Sequence, residues 1–335
     1  MPPVRRANEA TAPLLSDLIE LGGAGVEIVD LDRGGADVPQ SPGVIRIGVS
    51  RRAKATGADL DPFDILLSAT PSAPRPWVGV EALDPALDTI ADQVKRQPTA
   101  AAVAAQVLRM SLQVGFEEAL TLESMAYSML LAAGGFRAWR LQAPTRERAD
   151  DVGPRVSIDE IEGGLDIRLT RPAARNAFDA RMRDELTEAL TFALVHPDAP
   201  KVELSGEGPA FSAGGDLNEF GQADDVGLAH LIRTLRSPAR LAHALGDRLT
   251  ARLHGACIGA GIEVPAAAGR VLARRGAFFR LPEVSMGLVP GAGGTVSIPR
   301  RIGRHRACYM AISGAAVDVD TALGWGLVDA IGDGP

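Results

Sequence analysis

Two glutamates, Glu263 and Glu283, stand twenty residues apart, and each is set in apolar sequence. Glu283 lies in Leu281-Pro282-Glu283-Val284, where a solvated surface acid would be out of place. Two buried carboxylates facing one pocket can hold a water between them and divide general-acid and general-base work. Two runs of small residues accompany them. One is Gly208-Pro209-Ala210-Phe211-Ser212-Ala213-Gly214-Gly215-Asp216-Leu217, the other His254-Gly255-Ala256-Cys257-Ile258-Gly259-Ala260-Gly261-Ile262-Glu263. Small residues after a strand leave backbone N–H groups open to a ligand, because no side chain blocks them. Two such turns facing one carbonyl oxygen would make an oxyanion hole. A further run, Pro290-Gly291-Ala292-Gly293-Gly294-Thr295, reads as a loop and helix start close behind Glu283.

Taken singly, each feature also has a plainer reading, a glycine turn that is only a turn or an acid that caps or pairs. Other chemistries lack their residues. There is no G-x-S-x-G elbow, Walker loop, H-E-x-x-H or C-x-x-C. Gly259-Ala260-Gly261 lacks the third glycine of a dinucleotide fingerprint, so NAD is not expected. The five histidines are scattered without ligand spacing, so no metal is expected, and His254 reads as a structural turn residue.

These motifs need a scaffold. Strands at 164–169, 201–205 and 249–253 alternate with helices at 180–195 and 228–245, which implies an α/β fold with repeated crossovers. Upstream, 84–140 has a helical pattern. Asp84 and Pro85 suit an N-cap and first helical position, Pro98 breaks the helix, and 99–114 is Ala-rich. Residues 117–131 follow with Ala119, Leu122, Ala126, Met129 and Leu130 at helical spacing. Residues 43–49 alternate apolar and polar and read as a strand, as do 63–68. Residues 13–32 read as a helix-like segment ending in a short β-type run, and 32–42 and 69–76 as loops. The charged stretch 146–153 is the best boundary. The chain then divides into an extension of strands and loops (1–80), a helical segment (81–150) and a core carrying the motifs (151–335).

Among 335 residues, 46% are apolar and 23% charged, which suits a globular chain with a full core. Only 4% are aromatic, so that core must be mostly aliphatic. A net charge of −7 without a basic stripe argues against a nucleic-acid partner. Cys257 and Cys308 are too few for a disulfide framework and read as core thiols. The start has no apolar segment after its charges, and no apolar run reaches a membrane-spanning length, so a cytoplasmic protein without a membrane span is expected.

Order and spacing add what the single motifs lack. From about 155 to 332 the chain resembles the crotonase (enoyl-CoA hydratase/isomerase) superfamily. Leu169-Thr170-Arg171-Pro172-Ala173-Ala174-Arg175-Asn176-Ala177-Phe178 looks like that family's first CoA-contacting loop, and the glycine turns look like its oxyanion loops. The segments around Glu283 and 291–295 match in order, as do Pro299-Arg300-Arg301-Ile302-Gly303-Arg304 and Ala322-Leu323-Gly324-Trp325-Gly326-Leu327-Val328-Asp329.

The resemblance implies an α/β spiral of repeated ββα units. It implies Glu263 and Glu283 as catalytic acids, with the N–H groups of Ala213 and Ala260 polarising a thioester carbonyl. It places Arg175, Asn176, Ala177, Phe211, Gly214, Gly215, Asp216, Leu217, Gly259, Pro290 and Gly291 along the acyl-CoA, coenzyme A being part of the substrate and no other cofactor being needed. Both acids together favour an enoyl-CoA hydratase, a lyase of the kind that serves fatty acid metabolism. An isomerase or acyl-CoA hydrolase of the same fold, and a non-catalytic structural subunit, are the alternatives. A homotrimer or hexamer is expected by the same likeness. Typical relatives carry further helices beyond the segment ending like Val328-Asp329, covering the acyl site and building the trimer. Here the helices of 80–145 are expected to pack in their place.

Overall fold

The computed structural model describes residues 4–6, 25–33, 43–54, 59–143 and 152–332. The expected helix-like segment before residue 25, most of the 32–42 loop and the charged boundary at 146–151 lie outside the described residues.

The first sheet contains β1 (Val4–Arg6), β2 (Gly25–Asp30), β3 (Val44–Ser50), β4 (Ile65–Ser68) and β5 (Val78–Gly79), paired in sequence order and parallel throughout. The run 43–49 alternates apolar and polar residues, a pattern common in half-buried strands. Instead β3 is buried on both faces, as parallel strands usually are. Ile45 and Ile47 are fully buried, and Arg46 is 4% exposed. Arg46 tolerates burial because its Nε donates to Glu27 Oε2 at 2.6 Å.

Four helices follow: α1 (Leu83–Arg96), α2 (Pro98–Ser111), α3 (Phe116–Leu131) and α4 (Gly134–Gln142). Ala82, not Asp84, is the N-cap of α1, and Asp84 sits inside the first turn, where an acid still suits the helix dipole. Pro98 takes the first position of α2. The alanines of α2, Ala100 to Ala105, are buried around most of the helix, so backbones approach closely there.

In the second half, β6 (Val156–Ile161) and β7 (Gly164–Leu169) form an antiparallel hairpin, and α5 (Ala180–Val195) crosses over to β8 (Lys201–Gly206), parallel to β7. The helix expected over 228–245 is two, α6 (Val226–Leu235) and α7 (Pro238–Leu245). Pro238 cannot continue α6, and Ser237 Oγ caps the new helix by accepting from Arg240 N. Next come β9 (Leu249–Leu253), β10 (Ala256–Ile258), α8 (Ala260–Glu263), β11 (Arg270–Ala273) and β12 (Phe278–Arg280). The chain continues through α9 (Gly294–Ile302), α10 (Arg304–Ser313), β13 (Val317–Asp318), α11 (Val319–Trp325) and β14 (Ala330–Ile331). The main sheet has the order β14-β11-β9-β8-β7-β6, and β10-β12-β13 make a small second sheet. This is the α/β architecture the strand–helix alternation implied.

One apolar core joins the two halves, since Ile45 and Ala101 share a cluster with Leu204 and Ile298. Within the first half, Arg109 on α2 makes a two-pronged pair with Asp64, 2.7 and 2.6 Å, and another buried charge fastens the join. Arg306 on α10, 3% exposed, donates to the carbonyls of Trp77 (2.9 Å) and Ala73 (3.0 Å). Among the described residues, no helix is long and apolar enough to cross a membrane.

Candidate active site

Three turns converge at the ends of the strands. The turn after β8 and the turn after β9 lie side by side. Ser212 N–H donates to Ala256 O (3.2 Å), and Ile258 N–H donates to Ser212 O (3.0 Å). Such contact demands small residues: a Cβ on Gly261 would sit 2.6 Å from Ser212 O. The third turn runs from β12 through Glu283 to α9.

Glu263, at the end of α8, is 2% exposed, and Glu283 is 7% exposed. The carboxylates converge above Gly259, where a Cβ would meet Glu283 Oε1 at 2.4 Å and Glu263 Oε1 at 3.6 Å. Gly259 has φ +50°, so glycine is required there both by conformation and by space.

A third glutamate, Glu123 of α3, joins them at 2% exposure. Four consecutive N–H groups at the start of α9 are shared alternately between two acids. Ala292 and Gly294 donate to Glu263 Oε2 at 2.7 and 2.9 Å. Gly293 donates to Glu123 Oε1 at 2.7 Å, and Thr295 gives Glu123 Oε2 both its N–H (2.8 Å) and its hydroxyl (2.7 Å). The run 290–295 is therefore a carboxylate cradle, and its small residues leave each N–H accessible.

Burial raises all three carboxyl groups above their ordinary range. For Glu263, two backbone donors oppose that effect. For Glu283, burial is reinforced by the neighbouring charge of Glu263, and its Oε2 is buried without a hydrogen-bond partner among the described residues. Glu263 thus has two donors that favour its charged form, whereas Glu283 Oε2 has none among the described residues.

A cavity of about 480 Å³ opens beside these acids, lined by all three glutamates together with Gly215, Ala260 and Gly291. Tyr127 and Leu120 of α3 and Arg233 of α6 complete its other side. The expected donor Ala213 requires correction. Its N–H donates to Arg175 O at 2.9 Å, and Ala213 does not line the cavity. Gly215, two residues on, does line it, and its N–H, like that of Ala260, donates to no group among the described residues. The available pair is Gly215 with Ala260.

Further site assignments change. Asn176 is fully buried, accepting from Arg171 N (2.9 Å) and donating to the carbonyls of Glu207, Ala210 and Phe211. It fastens the 171–178 loop to the first glycine turn, and no polar atom is left for a ligand. Phe211 and Ala177 are core residues at 1% and 4% exposure. Asp216 lines the cavity, but its carboxylate pairs with Arg171 at 2.9 Å. Gly291 lines it as well. Gly214, Gly259 and Pro290 are buried behind the lining, while Leu217 and the exposed Arg175 lie off it. His254 bonds the Gly208 carbonyl (2.9 Å), a structural role, and both cysteines are buried.

Glu123 carried a signal in the sequence that spacing alone could have raised. It stands four residues after Ala119 and three after Leu120, on the buried face of α3, where an unpaired acid is unusual.

Residues 160–332 match the family model described as enoyl-CoA hydratase/isomerase. Among curated proteins, the chain is 35% identical over 164 residues to a 2,3-dehydroadipyl-CoA hydratase of Escherichia coli (strain K12), covering 48% of this chain and 63% of that relative. It is 37% identical over 171 residues to a probable enoyl-CoA hydratase of Rhodobacter capsulatus, covering 50% of this chain and 65% of the other. The chain thus spans just under two thirds of the length of these relatives. Among solved structures, an enoyl-CoA hydratase from Thermoplasma volcanium GSS1 superposes with a TM-score of 0.50 at 31% identity, over 54% of this chain and 73% of that one.

Proposed function

The chain belongs to the enoyl-CoA hydratase/isomerase family, and from that premise we propose that it adds water across the 2,3 double bond of a 2-enoyl-CoA. The observation that carries this reading is the convergence of Glu263 and Glu283 above Gly259, beside two N–H groups that have no partner among the described residues.

In this mechanism the thioester oxygen accepts from the N–H groups of Gly215 and Ala260. Water held between the acids loses a proton to Glu263, and its oxygen bonds to C3. The π electrons move onto the thioester oxygen, and the resulting enolate is stabilised where its charge develops. Glu283 then gives its proton to C2, yielding the 3-hydroxyacyl-CoA. Transfer of the proton from Glu263 to Glu283 restores the starting state, so water's H and OH are both accounted for. A backbone donor of this kind contributes about 3–4 kcal/mol to the transition state.

The N-terminal helices belong to this proposal. Glu123, Tyr127 and Leu120 bring α3 to the cavity wall, which supports the view that the helices of 81–150 serve here as the trailing helices serve in relatives. A homotrimer or hexamer in the cytoplasm is part of the same reading.

The test is loss of absorbance at the enoyl thioester band for wild type, Glu263→Gln and Glu283→Gln over a chain-length series of 2-enoyl-CoAs. Turnover by wild type that each substitution lowers by about a hundredfold or more supports the two-acid hydratase. No turnover on any member moves the function to isomerase, hydrolase or silent subunit.

A further inference from the structure

Three arginines line the cavity: Arg183, Arg233 and Arg236. Two are matched, Arg183 with Asp184 (2.8 Å) and Arg236 with Glu188 (3.1 Å). Arg233 has no carboxylate within ion-pair distance among the described residues. Its Nε donates to Ser124 Oγ (3.2 Å) and its Nη2 to Ser124 O (3.3 Å) and to Ser128 Oγ. Every one of these partners is neutral. Nη1 donates to no group among the described residues, and the guanidinium lies 4.8 Å from the centre of the Tyr127 ring. The side chain is half-buried, held in place on both sides, and still presents two N–H donors.

We propose that Arg233 recognises a carboxylate at the far end of the acyl chain, so that the substrate is the CoA thioester of a dicarboxylic 2-enoic acid. This rests on the hydratase reading for the reaction, but concerns which acyl group is held.

Position supports the acyl end over the phosphates of CoA. The acids must face C2 and C3, which lie on the acyl side of the thioester. Tyr127 packs against Gly291, where a Cβ would meet its ring at 2.3 Å, beside the Ala292 N–H that holds Glu263. Arg233 lies over that same ring. It therefore stands on the acids' side of the cavity.

Energetics agree. A guanidinium stays charged at neutral pH, and with Nε and Nη2 engaged its free Nη1 offers charge-assisted N–H donors to a carboxylate. Burial disfavours its charge. Glu123, whose charge it feels, is already engaged by Gly293 and Thr295. A substrate carboxylate would supply the missing anion, and Ser124 and Ser128 would fix the guanidinium for it.

The experiment measures binding of saturated acyl-CoAs by calorimetry on the full chain, which reads Arg233 even if the protein does not hydrate. Succinyl-CoA and a longer dicarboxylyl-CoA are compared with monocarboxylic partners of equal length, for wild type, Arg233→Met and Arg233→Lys. The proposal expects wild type to prefer a dicarboxylyl-CoA by about tenfold or more, Met to abolish the preference, and Lys to retain part of it. Equal affinity for both acyl types in wild type overturns it, and needs no variant to fold. A preference that survives in Met also overturns it. Weakening by the same factor for both acyl types assigns Arg233 to the CoA phosphates and overturns it as well. Failure of the hydratase reading would appear separately, as absent turnover of enoyl-CoAs alongside an intact binding preference.

Discussion

Glu123 and Thr295, 172 residues apart in sequence, are joined by two hydrogen bonds to one oxygen, from the Thr295 N–H at 2.8 Å and its hydroxyl at 2.7 Å. Through this contact the N-terminal helical segment holds the turn whose neighbouring amides hold Glu263. Glu123 thus acts on the site through backbone geometry.

Replacing Glu123 follows from that arrangement. Glutamine has one acceptor oxygen and would set an NH₂ group against a backbone donor. Glu123→Gln should lower stability by about 1–3 kcal/mol, and Glu123→Ala by about 3 kcal/mol or more. Urea unfolding checks both. Since Ala292 and Gly294 belong to the same turn as Gly293 and Thr295, kcat should fall more than KM rises.

Gly259→Ala should damage catalysis more than folding. Its Cβ would lie 2.4 Å from Glu283 Oε1, so the carboxyl must move, and the positive φ adds about 1–2 kcal/mol of strain. A displacement of that size should reduce kcat by about a hundredfold. Thermal melting beside single-turnover hydration distinguishes this from unfolding.

The pH dependence has a definite sign. Glu123, Glu263 and Glu283 are all raised above the ordinary value of 4.5 by burial, so the folded state binds their protons more tightly than the unfolded chain. Their contribution to stability is full below 4.5 and is lost as pH rises through the raised folded values. The melting temperature should therefore decline from mildly acidic towards neutral and alkaline pH, less steeply in Glu283→Gln. Activity should be bell-shaped, rising as Glu263 ionises and falling as Glu283 loses its proton.

Arg306→Met tests the join between the halves. It removes the donors to the Trp77 and Ala73 carbonyls in a site where burial has pushed the guanidinium down to about 10. A loss of about 2–4 kcal/mol is expected, seen as a lower urea midpoint. An unchanged midpoint would mean that Arg306 does not hold the join, leaving it to apolar packing and to the contacts of Arg304 and His305 with residues 60–63.

Local chemistry was legible in the residues themselves. Apolar sequence around Glu263 and Glu283 marked them as buried, because an acid in such a setting has no face to turn to water. Strand and helix periods placed α5, β7 and β9, whose regular patterns suit a single burial geometry. The run 290–295 read as a loop and a helix start, and the first amides of a helix have no partner within it. What those amides bind was decided by tertiary structure: the partner of Gly293 and Thr295 comes from α3, far away in the chain. The same holds for Gly215 displacing Ala213 as a donor, since only the packed turns show which N–H already serves Arg175. Asn176 reads like a ligand contact until three carbonyls of a neighbouring loop are seen around it. The alternation of β3 does not mark a solvent face, because α2 packs on the strand and Leu31, Phe63 and Leu66 crowd its Gly48. Sequence by itself determined which groups are chemically able to act and the local period of the most regular segments. Only the tertiary structure decided which of them are left unsatisfied and facing the same space, because hydrogen-bond partners and burial depend on what packs from elsewhere in the chain.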